Sequence, residues 1–229
     1  MRIDWAIVVA VSLAPAAFGQ IGNIPGTGFT GAPYSAVETL VTGPDTRTVL
    51  LSRDSEGRTR QEYIAHREDG SEAHSVRVID PAAGVSLSWV VTHDTSSQVA
   101  TIEPLTQRQR HTGPVPDDPE TLPGSRPCGS GCKMEVLPPQ QINGFLCRGF
   151  RVKRVVRDPE TKNSSIQTTE NWSSPELGVI LRHIEIDVLA GRSTSDVTNI
   201  VRGDPDPGLF QPPQGYRVEQ ASLPGQVGR

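Results

Sequence analysis

Thr46-Arg-Thr-Val-Leu-Leu-Ser-Arg-Asp-Ser-Glu-Gly-Arg-Thr-Arg-Gln-Glu-Tyr-Ile-Ala-His66 reads as one complete β-hairpin. Two short runs containing β-branched, leucine and tyrosine residues flank Asp54-Ser-Glu-Gly57, where Asp opens a turn and Gly closes it. The same grammar repeats on either side at intervals near ten residues. Residues 75–79 stop at Asp80-Pro-Ala-Ala-Gly84, residues 85–92 stop at His93-Asp-Thr-Ser-Ser97, and residues 98–103 follow. Downstream, residues 149–157 and 164–172 flank Asp158-Pro-Glu-Thr-Lys-Asn163 and should pair as a hairpin, and residues 193–201 read as a last strand. Between them, Ser173-Ser-Pro-Glu176 would suit a helix start, but Gly178 and the period-two run Ile184-Glu-Ile-Asp-Val188 favour one tight turn and then a strand. This spacing predicts a mainly-β domain built on a single twisted antiparallel sheet of eight to ten strands, half-barrel-like, with a β-sandwich as the alternative.

The chain has 229 residues, 35% hydrophobic and 21% charged, with a formal net charge of −4. These values fit a globular protein and exclude collagen-like and coiled-coil classes. Residues 1–19 read as a secretory signal peptide. Arg2 precedes an apolar run over residues 5–18, and Ala17-Phe-Gly19 puts small residues at the −3 and −1 positions, so cleavage is expected between Gly19 and Gln20. The run is shorter than the ~20 residues a spanning helix needs, and Pro15 interrupts it. The first cysteine is Cys128, so no lipid-modified cysteine follows the cleavage site. A secreted or periplasmic product that does not span a membrane is expected. Residues 20–33 form a Gly/Pro-rich lead-in, 34–218 the β domain, 104–127 a Pro-rich excursion from it, and 219–229 a disordered tail.

No motif indicates catalysis, and neither a catalytic residue nor a cofactor nor a metal is expected. Gly26-Thr-Gly-Phe-Thr-Gly31 matches GxGxxG literally, but prolines on both sides remove the strand and helix that a phosphate cradle needs. Gly129-Ser-Gly131 lacks the nucleophile-elbow pattern. His66, His74, His93, His111 and His183 have no paired spacing and read as turn or surface residues. Cys128, Cys132 and Cys147 do not fit a redox motif or a four-ligand zinc site, and an oxidising compartment points to a disulfide. The glycines between Cys128 and Cys132 favour that pair, with Cys147 free, although a bridge to Cys147 stays open. Arg148, Arg151, Lys153, Arg154 and Arg157 crowd one strand but split between its faces. Export and net acidity argue against nucleic acid. Contact with anionic lipid or polysaccharide is a minor alternative to a solvated edge. Trp89 and Trp172 read as core.

Five segments carry a resemblance: Asp54-Ser-Glu-Gly-Arg-Thr-Arg60, Asp80-Pro-Ala-Ala-Gly84, Ile142-Asn-Gly144, Trp172-Ser-Ser-Pro-Glu-Leu177 and Asp206-Pro-Gly-Leu-Phe-Gln-Pro-Pro-Gln-Gly-Tyr216. In this order they resemble a group of uncharacterised secreted bacterial mainly-β proteins over residues 34–218. The closing Leu-Phe-x-x-Pro-x-Gly-Tyr is similar to the ends of periplasmic lipoprotein-carrier and lipoprotein-sensing domains. That resemblance implies a curved sheet forming an open half-barrel around an apolar groove. Carrier domains cap their groove with helices, and here little helix is available.

A single curved sheet with one apolar face must hide that face in a groove or against a partner. The expected function is therefore an exported non-catalytic domain that binds an apolar or lipid-like ligand, or a lipoprotein, in the cell envelope. The alternative is a structural or adhesive envelope module without a ligand. Leu146, Phe150, Val152 and Val156 share one strand face, and Leu87 and Trp89 share another. These six are the candidate core or groove-lining residues.

Overall fold

The computed structural model describes residues 30–66, 70–91, 98–105, 131–157, 162–188 and 191–221. Twelve strands form one sheet: β1 (Tyr34–Thr42), β2 (Asp45–Arg53), β3 (Thr59–His66), β4 (Glu72–Asp80), β5 (Val85–Val91), β6 (Val99–Pro104), β7 (Cys132–Ile142), β8 (Phe145–Arg157), β9 (Ser164–Ser174), β10 (Val179–Asp187), β11 (Gly191–Arg202) and β12 (Arg217–Gln220). A 3-10 turn, Pro207–Phe210, is the one helical element among the described residues. The spatial order is β12-β6-β5-β4-β3-β2-β1-β11-β10-β9-β8-β7. Two antiparallel meanders, β1 to β6 and β7 to β11, therefore meet where β1 pairs with β11. The sheet does not close on itself and forms a twisted half-barrel.

The turns form for the reasons their residues suggest. Asp54 Oδ1 accepts hydrogen bonds from the backbone of Glu56 (3.1 Å) and Arg58 (2.8 Å), while Gly57 supplies the positive φ of +81° that closes the turn. Asn143 and Gly144 both have positive φ, which matches the twist of the β7–β8 hairpin they connect.

One sheet is present where a sandwich would need two, and it has twelve strands where eight to ten were expected. The extra strands have individual causes. β7 contains Pro138 and Pro139, which argue against a strand, but it is an edge strand and its pairing with β8 breaks between Leu137 and Gln140, where the prolines sit. β12 pairs in parallel with β6, so strand structure runs two residues past Val218, where the tail was expected to begin. The leader, most of the lead-in, most of the Pro-rich excursion and most of the tail lie outside the described residues.

Buried apolar residues fall into two clusters. The first joins Tyr34, Ala36, Val49, Leu51 and Val197 to Phe145, Cys147, Trp172, Leu177, Val179 and Leu181. The second holds Val76, Val78, Trp89, Ala100 and Phe210, with Leu87 and Tyr216 against it. Register places them on opposite faces. Val49 pairs with Tyr63 and Tyr63 with Ser75, so Val76, the next residue, points the other way. Arg53 is buried among the first cluster, and its guanidinium donates to the carbonyls of Leu177 and Gly178, fixing the β9–β10 turn against the end of β2.

Candidate functional site

In a single-layer sheet, a mid-strand residue is buried only where the sheet curls toward it or something lies on it. Over β9, β10 and β11 one face buries Asn171, His183, Ser193 and Ser195, while Ile166 and Ile186 on the other face stay open. The face of Asn171 and His183 is therefore the inner wall of the half-barrel.

Cross-strand pairing draws a lateral row along this wall. Val136 pairs with Phe150, Phe150 with Asn171, Asn171 with His183, His183 with Ser195, and Ser195 with Leu40. A second row runs from Met134 through Val152, Thr169 and Glu185 to Ser193. The wall is thus apolar at the β7–β8 edge and polar at its centre. Glu38 joins the polar part as the carboxylate that accepts a hydrogen bond from Ser195 Oγ.

Burial sets the electrostatics of this group. His183 is 4% exposed, and loss of solvent pushes its pKa down to about 4, so its ring is neutral near pH 7. His183 Nδ1 lies 2.7 Å from Asn171 Oδ1, so Nδ1 carries the proton and donates. Nε2 is left as a bare acceptor, buried and without a hydrogen-bond partner among the described residues. Burial also raises the Glu38 carboxyl, against which the Ser195 hydrogen bond acts.

The six candidate lining residues divide into three groups. Phe150, Val152 and Val156 are half-buried on the inner wall. Leu146 is 59% exposed: it shares the face of Phe150 by alternation, but at its end of β8 the buried residues are Phe145, Cys147 and Gly149 on the other face. Gly149 leaves room there for the ring of its cross-strand partner Trp172, which lies 2.4 Å from where a Cβ would stand. Leu87 and Trp89 face the opposite way, in the second cluster beneath Phe210 and Tyr216. The six therefore do not form one groove.

The polar row is what the sequence reading missed. His183 was expected at a turn or surface and is instead buried in mid-strand. The usable signal was its place beside the period-two run Ile184-Glu-Ile-Asp-Val188; the register turns Ile184 and Ile186 outward and His183 and Glu185 inward. His66 and His74 pair with nearby carboxylates of Glu72 and Glu62, and His93 and His111 lie outside the described residues. Cys147 is free and buried, with its thiol pushed up to about 11 by desolvation. That leaves Cys128, outside the described residues, and Cys132 as the pair available for a bridge. Among the described residues no His, Cys, Asp and Glu group of metal-binding type occurs, and no helix is long and apolar enough to cross a membrane.

No described protein family matches the chain, and no curated protein matches it by sequence. Solved structures with a similar sheet include MucB bound to the periplasmic part of MucA, at 12% identity and a TM-score of 0.38, covering 79% of this chain and 54% of that one. The Pseudomonas aeruginosa MucA/MucB complex matches at 14% and 0.37, covering 78% of this chain and 55% of that one. An outer membrane lipoprotein-sorting protein domain from Vibrio parahaemolyticus matches at 9% and 0.30, covering 78% of this chain and 89% of that one. The chain spans about half the length of the MucB chains it matches.

Proposed function

We propose that the chain is an exported, non-catalytic domain of the cell envelope that holds a lipid-like ligand in the hollow of its half-barrel. The apolar part of the ligand lies along Val136, Phe150, Val152 and Val156, and its polar end reaches the row formed by Asn171, His183, Ser195 and Glu38. The observation that carries this reading is the unpartnered His183 Nε2. A buried acceptor left without a donor costs about 1–3 kcal/mol, and a hydroxyl or ammonium group on a ligand would satisfy it.

The test is titration of the mature protein with a fluorescent fatty-alcohol probe. Saturable binding is expected, weakened about tenfold or more by Phe150→Arg, which places an unpaired charge on the apolar wall. His183→Leu should weaken binding of the alcohol while leaving a purely aliphatic probe nearly unaffected. Absence of saturable uptake by the folded protein would favour a structural or adhesive module.

A further inference from the structure

The outer wall of the same strands carries a second surface, independent of the hollow. Val155 and Ile166 are direct cross-strand partners on it, 59% and 57% exposed. Beside them are Ile186, 43% exposed, and Val188 just past the end of β10, 75% exposed. On β9 and β10 the usual pattern of a half-buried sheet is inverted: Ile166, Ile184 and Ile186 face out while Asn171, His183 and Glu185 face in.

The charges around this patch are arranged unusually. One lateral row on the outer wall reads Lys133, Lys153, Thr168, Ile186, Arg192, each the direct partner of the next. Lys133 and Lys153 therefore stand directly opposite each other, a like-charge pair that destabilises a sheet unless an anion lies between them. Arg157 lies two residues beyond Val155 on the same face. None of Lys133, Lys153 and Arg192 has an ion-pair partner among the described residues, and all three are exposed. The nearest acids on this wall, Glu135 and Glu170, are both engaged by Arg151, and Asp196 is engaged by Arg182. A chain of net charge −4 thus concentrates uncompensated positive charge around exposed Val and Ile side chains.

We infer that this outer patch docks on an anionic lipid surface, with Val155, Ile166, Ile186 and Val188 entering the interface and Lys133, Lys153, Arg157 and Arg192 meeting the phosphates. The outer wall of a half-barrel is convex. A rigid protein would touch a convex face over little area, whereas a fluid lipid surface conforms to it. The attraction scales with the number of basic residues near the surface and is screened by salt.

The experiment is co-sedimentation of the mature protein with vesicles of phosphatidylethanolamine and phosphatidylglycerol, against vesicles of phosphatidylcholine alone. Binding to the anionic vesicles is expected, about tenfold or more above the neutral ones and lost at high salt. Lys133→Glu with Lys153→Glu should reduce it about tenfold or more. Val155→Ser with Ile166→Ser should reduce it less and leave the remainder salt-sensitive. Both variants replace exposed residues, and unchanged thermal midpoints confirm their fold. Binding of the soluble probe in the hollow should persist in both, which separates failure of this inference from failure of the proposed function. Equal binding to neutral vesicles, insensitivity to the charge reversal, or a dimer that the serine variant dissociates would overturn it.

Discussion

The two core clusters lie on opposite faces of one sheet and are closed by different means. The first is closed by the sheet itself: β1 joins β11, Arg53 reaches across to the β9–β10 turn, and the β7–β8 hairpin folds back so that Asn143 Nδ2 donates to the Val197 carbonyl at 2.6 Å. The second is closed by a plug. The chain leaving β11 turns at Asp206, whose carboxylate accepts from Gly208 N at 2.8 Å, and drops Phe210 onto Val76, Val78 and Trp89. Tyr216 follows and donates its hydroxyl to the Val90 carbonyl at 3.0 Å, while the Arg58 guanidinium stacks on Phe210 at 5.0 Å. The half closed by its own curvature carries the polar row of Asn171, His183 and Ser195 on its inner wall. The half closed by a plug uses its apolar face entirely for stability.

The comparison breaks most clearly at Phe210. Phe210→Ala removes the plug's largest buried group and should cost about 3–5 kcal/mol. Hydrogen exchange should show β4, β5, β6 and β12 losing protection first, with β1, β2 and β9 to β11 retained. If all strands lose protection together, the two clusters are one cooperative unit.

A smaller effect, of opposite address, is expected at Gly149. A Cβ there collides with the Trp172 ring, and overpacking of this kind costs about 1–3 kcal/mol. Gly149→Ala should therefore speed alkylation of the buried Cys147 thiol, which sits in the first cluster, whereas Phe210→Ala should leave that rate unchanged.

His183 adds a pH dependence to the first half alone. Its folded pKa is depressed to about 4, so the unfolded chain takes up the proton first as pH falls. The neutral ring is fully compatible with folding above pH ~6.5, and stability is lost progressively from there toward pH ~4, by at most about 3 kcal/mol. The raised Glu38 works the other way, contributing stability at low pH that is lost as pH rises through its folded value. His183→Gln should flatten the net slope between pH ~6.5 and ~4 in denaturant melts. An unchanged slope would mean that the ring is solvated.

The smallest effect belongs to the outer wall. Arg182 and Asp196 pair at 2.6 Å but are both two-fifths exposed, so Arg182→Ala should cost under about 1 kcal/mol.

What was legible in the sequence follows from the range of the interactions. The hairpins around Asp54-Ser-Glu-Gly57 and Asp158-Pro-Glu-Thr-Lys-Asn163, and the burial of Trp89 and Trp172, rest on local turn chemistry and residue type, and the structure has them. The meeting of β1 with β11 joins residues more than 150 positions apart, and no local pattern encodes it. The site was harder still. Which face of β8 and β10 is buried depends on the curl of the sheet, so His183 read as a turn or surface residue. The shared face of Phe150, Val152 and Val156 is legible from alternation along one strand; the polar row beside it is not, because burial of Asn171, His183 and Ser195 exists only in the curved sheet.

The most direct test of the proposed binding role is native mass spectrometry, with solvent extraction, of the mature protein purified from its own exporting compartment. A co-purifying amphiphile of defined mass, absent from the Phe150→Arg variant prepared in the same way, is the predicted result. A clean apo mass for both proteins, together with no uptake of the fluorescent probe, would contradict it.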